Sequence, residues 1–175
     1  RPLASAKLKG IFGNGFDYEA VRSKRVELMD NYVEKNGIEV KSGAKELLSF
    51  LKENGYKVAL ATATPPQRAE RYLKAHDLYK YFDVTVSASM VSVGKPAPDI
   101  YLKAAEMLGL SPQNCVALED SPNGIKSASS AGCVTVMVPD LDKPSNDIIP
   151  LLHDVADGLS DVKRILRELE DCNIQ

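Results

Sequence analysis

The amino-acid sequence predicts an α/β fold, a doubly wound parallel sheet, and two observations carry that prediction. From Lys57 onward, short apolar runs alternate with longer amphipathic stretches. Strands that are separated by helices pair in parallel through right-handed crossovers, which places helices on both faces of the sheet. In such sheets ligands sit beyond the carboxyl ends of the strands, so the residues that follow each apolar run are where chemistry is sought.

The elements follow in order. Asp17 to Asn36 reads as one helix, with Val21, Leu28, Met29, Tyr32 and Val33 as its apolar members. No strand is expected before it, because the apolar residues of Leu8–Phe12 are interrupted by Lys9 and Gly10. Gly43 to Asn54 predicts a helix that Ser42 caps and that stops at Gly55. Lys57–Thr62, Phe82–Ser87, Cys115–Leu118 and Cys133–Val138 read as buried strands. Between them, helices are expected from Pro66 to about His76, from Asp99 to Gly109 and from Asn123 to Gly132. Val138 to Pro150 is a loop, and a last helix from Asp161 to about Cys172 places Val162, Ile165, Leu166 and Leu169 on one face. The division expected is residues 1–40 as one piece and 41–175 as the α/β core.

Composition removes several classes of function. Apolar residues make up 44% and charged residues 26%, as in ordinary globular chains. The net charge is −2 with Lys and Arg dispersed, so no nucleic-acid partner is expected. No uninterrupted apolar run reaches bilayer length, and no membrane partner is expected. The three cysteines, Cys115, Cys133 and Cys172, are too few for a disulfide framework, and Cys115 and Cys133 read as small core residues in a reducing cytoplasm. The two histidines, His76 and His153, lack partners at zinc-ligand spacing.

Three strand ends stand out. The first run ends in Thr62-Ala63-Thr64 and leads through Pro65 into a helix, so hydroxyls and free backbone N–H groups suit a phosphate. Plain capping of that helix is the bland alternative. The second run leads to Gly94-Lys95-Pro96-Ala97-Pro98-Asp99, where two prolines stiffen the loop around one lysine. A lysine held this way places a positive charge over an anion at little entropic cost, although most lysines are simply exposed. The third run ends in Glu119-Asp120-Ser121. Two carboxylates leaving a buried strand are costly unless a cation compensates them, and oxygen ligands suit Mg²⁺ completed by phosphate oxygens. The competing explanation is a solvated acidic turn with Asp120 as a helix cap.

Read in order, VALATAT, GKPAPD and ALEDSPNGIKSA resemble motifs II, III and IV of the haloacid dehalogenase-like superfamily, within it the β-phosphoglucomutase-like phosphatases and mutases. The resemblance runs from about Asp17 to the C-terminus. It implies a Rossmann-like core and Mg²⁺-dependent phosphoryl transfer on a small phosphorylated metabolite, a sugar phosphate for preference. Thr62 and the Ala63 amide, with Thr64, would bind the phosphoryl group, Lys95 would neutralise it, and Asp120 with Glu119 would hold Mg²⁺. Residues 1–40 would be the C-terminal part of a small helical cap that closes over the site, the helix from Asp17 being its returning helix and Leu3 to Phe16 what remains of earlier cap. A monomer is expected.

One motif of the family has no counterpart. Its first motif is an apolar strand ending in Asp-x-Asp, whose first aspartate attacks phosphorus. Asp17-Tyr18-Glu19 has the acid spacing but follows Gly13-Asn14-Gly15-Phe16, and it reads as the start of the cap helix. The nucleophile is therefore expected outside these residues, and the chain by itself is expected to be inactive. The absent strand is central in the family's sheet, between the strands of Thr62 and Glu119. Its loss leaves two inner edges unpaired, so the core is expected to need that strand from another segment. A degenerate, non-catalytic binder of phosphate or a partner is the alternative, and a response-regulator-like switch is disfavoured because its acidic pair closes an earlier strand.

Overall fold

In a computed structural model that describes residues 2–173, the chain forms two units, residues 1–39 and residues 40–175. The first holds helices α1 (Pro2–Phe12) and α2 (Tyr18–Asn36). Asp17 has extended backbone angles and its carboxylate accepts from the Ala20 N–H at 2.9 Å, which makes it the N-cap of α2. Helix α1 lies where the resemblance leaves the remainder of a helical cap. Lys9 and Gly10 interrupt a strand pattern but not a helix, where an interior glycine costs only about 1 kcal/mol relative to alanine. Four apolar residues of α2, Val21, Leu28, Met29 and Tyr32, are exposed, and Val33 is partly buried.

The second unit runs α3 (Ala44–Glu53), β1 (Ala59–Thr62), α4 (Pro66–Ala75), β2 (Val84–Ser87), α5 (Asp99–Leu108) and β3 (Val116–Glu119). It continues with α6 (Pro122–Ala131), β4 (Val134–Met137), β5 (Asp154–Val155) and α7 (Val162–Asn173). Every strand pairing is parallel. β1 lies beside β2 with Ala59 opposite Val84 and Thr62 opposite Ser87. β4 lies between β3 and β5. The strands make two sheets, of two and of three strands, and β1 and β3 do not pair with each other.

Alternation along β4 shows why helices cover both faces. Val136 joins Leu47 of α3 and Val162, Ile165 and Leu166 of α7, whereas its neighbour Met137 joins Ile125 of α6. Successive strand residues point to opposite faces, so these two clusters are the two layers of a doubly wound unit. Val162, Ile165 and Leu166 are nearly inaccessible, and each contributes roughly 1.5–3 kcal/mol by leaving water. A third cluster packs Ile100 and Ala104 of α5 against Val86 of β2.

Two local expectations need correction, and one short strand was not expected. Gly43, not Ser42, occupies the N-cap of α3, with left-handed backbone and no side-chain bond. A Cβ there would approach Ser160 Oγ to 2.8 Å, so the close passage of the chain, rather than a hydroxyl cap, sets this helix start. Strand β5 has two residues, too short to leave an alternating pattern. Cys115 and Cys133 are half-buried rather than core residues, side by side where the Val134 N–H donates to the Cys115 carbonyl at 3.0 Å. Burial raises both thiols, Cys133 to about 11, so both stay protonated and unreactive near neutral pH. Among the described residues no helix is long and apolar enough to cross a membrane.

Candidate active site

The carboxyl end of β3 is built around one carboxylate. Glu119 closes the strand only 7% exposed. Its Oε1 accepts from Lys95 Nζ and from the Tyr101 hydroxyl, and its Oε2 accepts from Ser121 Oγ at 3.3 Å. Three donors compensate the desolvation of a buried charge. Ser121 is also the N-cap of α6, accepting from the Gly124 N–H at 3.2 Å. The capping role weighed for Asp120 therefore belongs to Ser121. At Gly124 a Cβ would overlap the Glu119 carboxylate, so only glycine lets the acid lie against the first turn of α6. Asp120 is exposed and makes no hydrogen bond or ion pair among the described residues.

Lys95 arrives from the loop between β2 and α5. The loop is tied down by Val93 N–H to Asp99 Oδ1 at 3.2 Å, Ala97 N–H to the Gly94 carbonyl at 3.1 Å, and Ser127 Oγ to the Ala97 carbonyl at 2.6 Å. Lys95 Nζ donates to the Ala61 carbonyl of β1 at 3.2 Å as well as to Glu119, and lies 5.1 Å from the centre of the Tyr101 ring. One ammonium thus touches the ends of both β1 and β3. Burial, and then the charge and hydrogen bond of Glu119, push the Tyr101 phenol far above its ordinary value, so it remains a donor.

The end of β1 is left more open. Thr62 Oγ1 accepts from the Thr64 N–H at 3.1 Å. Helix α4 begins at Pro66 after Pro65, with no side-chain cap on its first turn. Neither threonine caps that helix, and within its first turn the Arg68 and Ala69 N–H groups donate to the Pro65 carbonyl at 3.1 and 3.0 Å.

Of the residues singled out in the sequence, Lys95 and Glu119 are in direct contact, Thr62 and Ala63 follow the carbonyl that Lys95 also holds, and Asp120 extends the acidic end of β3 into solvent. The donor set suits a hard cation. Among the described residues no three His, Cys, Asp or Glu side chains converge. Carboxylate oxygens of this kind suit Mg²⁺ rather than structural Zn²⁺. Tyr101, Ser121 and Gly124 were not foreseen as parts of the site. The available signal was Tyr101 itself, an aromatic with a polar tip in the first turn after the lysine loop.

A family model described as haloacid dehalogenase-like hydrolase matches residues 10–132. The chain belongs to this family. It is 47% identical over 90 residues to the phosphorylated carbohydrates phosphatase of Thermotoga maritima, covering 51% of this chain and 42% of that enzyme. The chain thus spans less than half the length of that relative. The crystal structure of CbbY from Rhodobacter sphaeroides in complex with phosphate superposes with a TM-score of 0.71 at 26% identity, covering 85% of this chain and 67% of that one. A β-phosphoglucomutase from Clostridium difficile shares the fold, with a TM-score of 0.74 at 24% identity over 95% of this chain and 74% of its own.

Proposed function

We propose that this haloacid dehalogenase-like chain carries the phosphate- and cation-binding half of an Mg²⁺-dependent phosphatase or phosphomutase for phosphorylated carbohydrates. The observation that carries the reading is the single ammonium of Lys95, shared between the Ala61 carbonyl at the end of β1 and the Glu119 carboxylate at the end of β3. That contact supports reading the turn after β1 and the acidic pair after β3 as parts of one site. A relative named for phosphorylated carbohydrates and a structural neighbour in complex with phosphate support the same substrate class.

Each residue then has a physical duty. The Thr62 hydroxyl and the Ala63 and Thr64 amides donate to phosphoryl oxygens, a role that needs the Thr62–Thr64 contact to rearrange. Lys95 offsets negative charge on the transferring group. Asp120, exposed and unpaired, would hold Mg²⁺ directly or through water, with Glu119 beside it. Mg²⁺ there would supply charge stabilisation to the phosphoryl oxygens. Phosphoryl transfer is mostly positioning and charge stabilisation, so these residues account for much of the catalysis without being the nucleophile.

The attacking aspartate is proposed to come from a strand lying outside these residues and entering between β1 and β3, whose facing edges are unpaired with each other. By itself the chain would then bind phosphate without turnover. The test is hydrolysis of an aryl phosphate and of sugar phosphates with Mg²⁺, by a protein that carries these residues together with an aspartate-bearing strand. Asp120→Asn and Lys95→Ala are expected to lower kcat at least 100-fold, as removal of electrostatic stabilisers does. Unchanged rates in both variants would remove the proposal.

A further inference from the structure

We propose that Tyr101 is a positioning residue of this site, clamping Glu119 through its hydroxyl and backing the Lys95 ammonium with its ring. The inference rests on the phosphoryl-transfer reading above and adds a residue to it.

Three observations converge on this side chain. Its ring packs against the cluster of Val86, Ile100 and Ala104, so the orientation of the phenol is set by the core rather than by the site. Its hydroxyl donates to the same Glu119 oxygen that Lys95 binds. Its face stands 5.1 Å from Lys95 Nζ, within cation–π range. One residue therefore holds both members of the ion pair, from a rigid helix.

The value of that arrangement appears when the site is loaded. A dication at Asp120 repels the neighbouring ammonium, and a phosphate attracts it. Lys95 then has reason to leave Glu119. A carboxylate held by lysine alone would lose its Oε1 donor at that moment and be free to swing. The phenol is neutral and is not expelled by the cation. It keeps Glu119 in place while the ring still limits where Lys95 goes. Such outer partners of a metal-binding carboxylate are commonly worth 10–100-fold in affinity.

The test uses the protein that carries these residues together with the aspartate-bearing strand, and two variants of it, with Mn²⁺ as the calorimetric probe and the Lys95 side-chain resonances as a metal-free one. Tyr101→Phe keeps the ring and removes the hydroxyl. It should weaken Mn²⁺ binding about 10-fold while the Lys95 methylene protons keep the upfield ring-current shift of the parent. Tyr101→Leu should weaken Mn²⁺ binding as well and abolish that shift. A merely structural role would lower the melting temperature and leave the Mn²⁺ affinity of the folded protein unchanged. Mn²⁺ affinity in Tyr101→Phe within twofold of the parent, or identical Lys95 shifts in the parent and Tyr101→Leu, would overturn the inference. If the parent and Asp120→Asn bind Mn²⁺ equally, or neither binds, the cation reading fails too, which separates the two failures.

Discussion

The two strand ends that meet at Lys95 are built in opposite ways. At β3, Glu119 is buried, takes three donors and lies in a hollow that only Gly124 permits. At β1, Thr62 holds only the amide of Thr64 and the following helix has no side-chain cap. One end is closed around a charge that the protein itself neutralises. The other makes fewer side-chain contacts, one bond between Thr62 and Thr64 and no helix cap. Even neighbouring residues divide this way, since Asp120 beside Glu119 is exposed and unpaired. The difference teaches that a residue can be essential to the site's architecture or available for its chemistry, and that adjacent acids need not share a role.

Substitutions at the closed end should cost stability, and those at the open end should not. The largest effect is expected from Glu119→Ala, which leaves Lys95 beside a desolvated hollow. Removing one partner of a buried pair costs about 3–5 kcal/mol, measurable by chemical denaturation. Asp120→Asn should stay within about 0.5 kcal/mol of the parent in the same experiment. Equal losses would erase the contrast between the two neighbours. Next in size, Gly124→Ala forces a methyl into the Glu119 carboxylate and should cost about 1–3 kcal/mol. Thr62→Ala should alter the unfolding free energy by under about 1 kcal/mol, yet weaken inorganic phosphate binding about 10-fold, as the loss of a hydrogen bond to a charged group does.

The smallest effect sharpens the comparison from the far end of the β1–β2 sheet. There Asp83 accepts from Lys52 at 2.8 Å and from the Val58 N–H at 2.7 Å, in a largely solvated setting. The Lys52 hydrogen bond first, and then that backbone bond, hold the Asp83 carboxyl below its ordinary value. A depressed carboxylate stabilises the fold above the unfolded value of about 3.9, and that contribution fades as pH falls through the folded value. Solvent screening keeps it under about 1 kcal/mol. Stability measured from pH 5 down to pH 2.5 should therefore fall slightly less steeply in Asp83→Asn than in the parent.

How much of this was readable in advance differs by scale. The four longer strands and the helices between them were legible because apolar runs and Gly or Pro punctuation coincide there, as at Lys57–Thr62 and Gly132. The stripe of α7 was legible for the same reason, and Val162, Ile165 and Leu166 are buried as its spacing required. Periodicity identifies a face that favours cover without identifying the cover. Hence the same kind of stripe in α2 is exposed at Val21, Leu28 and Met29. Helix α1 has no clear periodicity to announce it, since Lys9 and Gly10 break the apolar run Leu8–Phe12. At the site, motif spacing singled out Lys95, Glu119 and Asp120, but not that Tyr101 would reach Glu119 from helix α5. Contacts between elements distant in the chain depend on how the helices pack, and local pattern does not encode that.

The central claim is that one phosphate is gripped jointly by Lys95 and by a dication on the acidic end of β3. Calorimetric titration of the chain with inorganic phosphate, with and without Mg²⁺, addresses it directly. Joint grip requires that Mg²⁺ tighten phosphate binding at least about fivefold, a coupling of ordinary size between linked ligands, and that Asp120→Asn abolish the gain. Equal phosphate affinity with and without Mg²⁺ would contradict it.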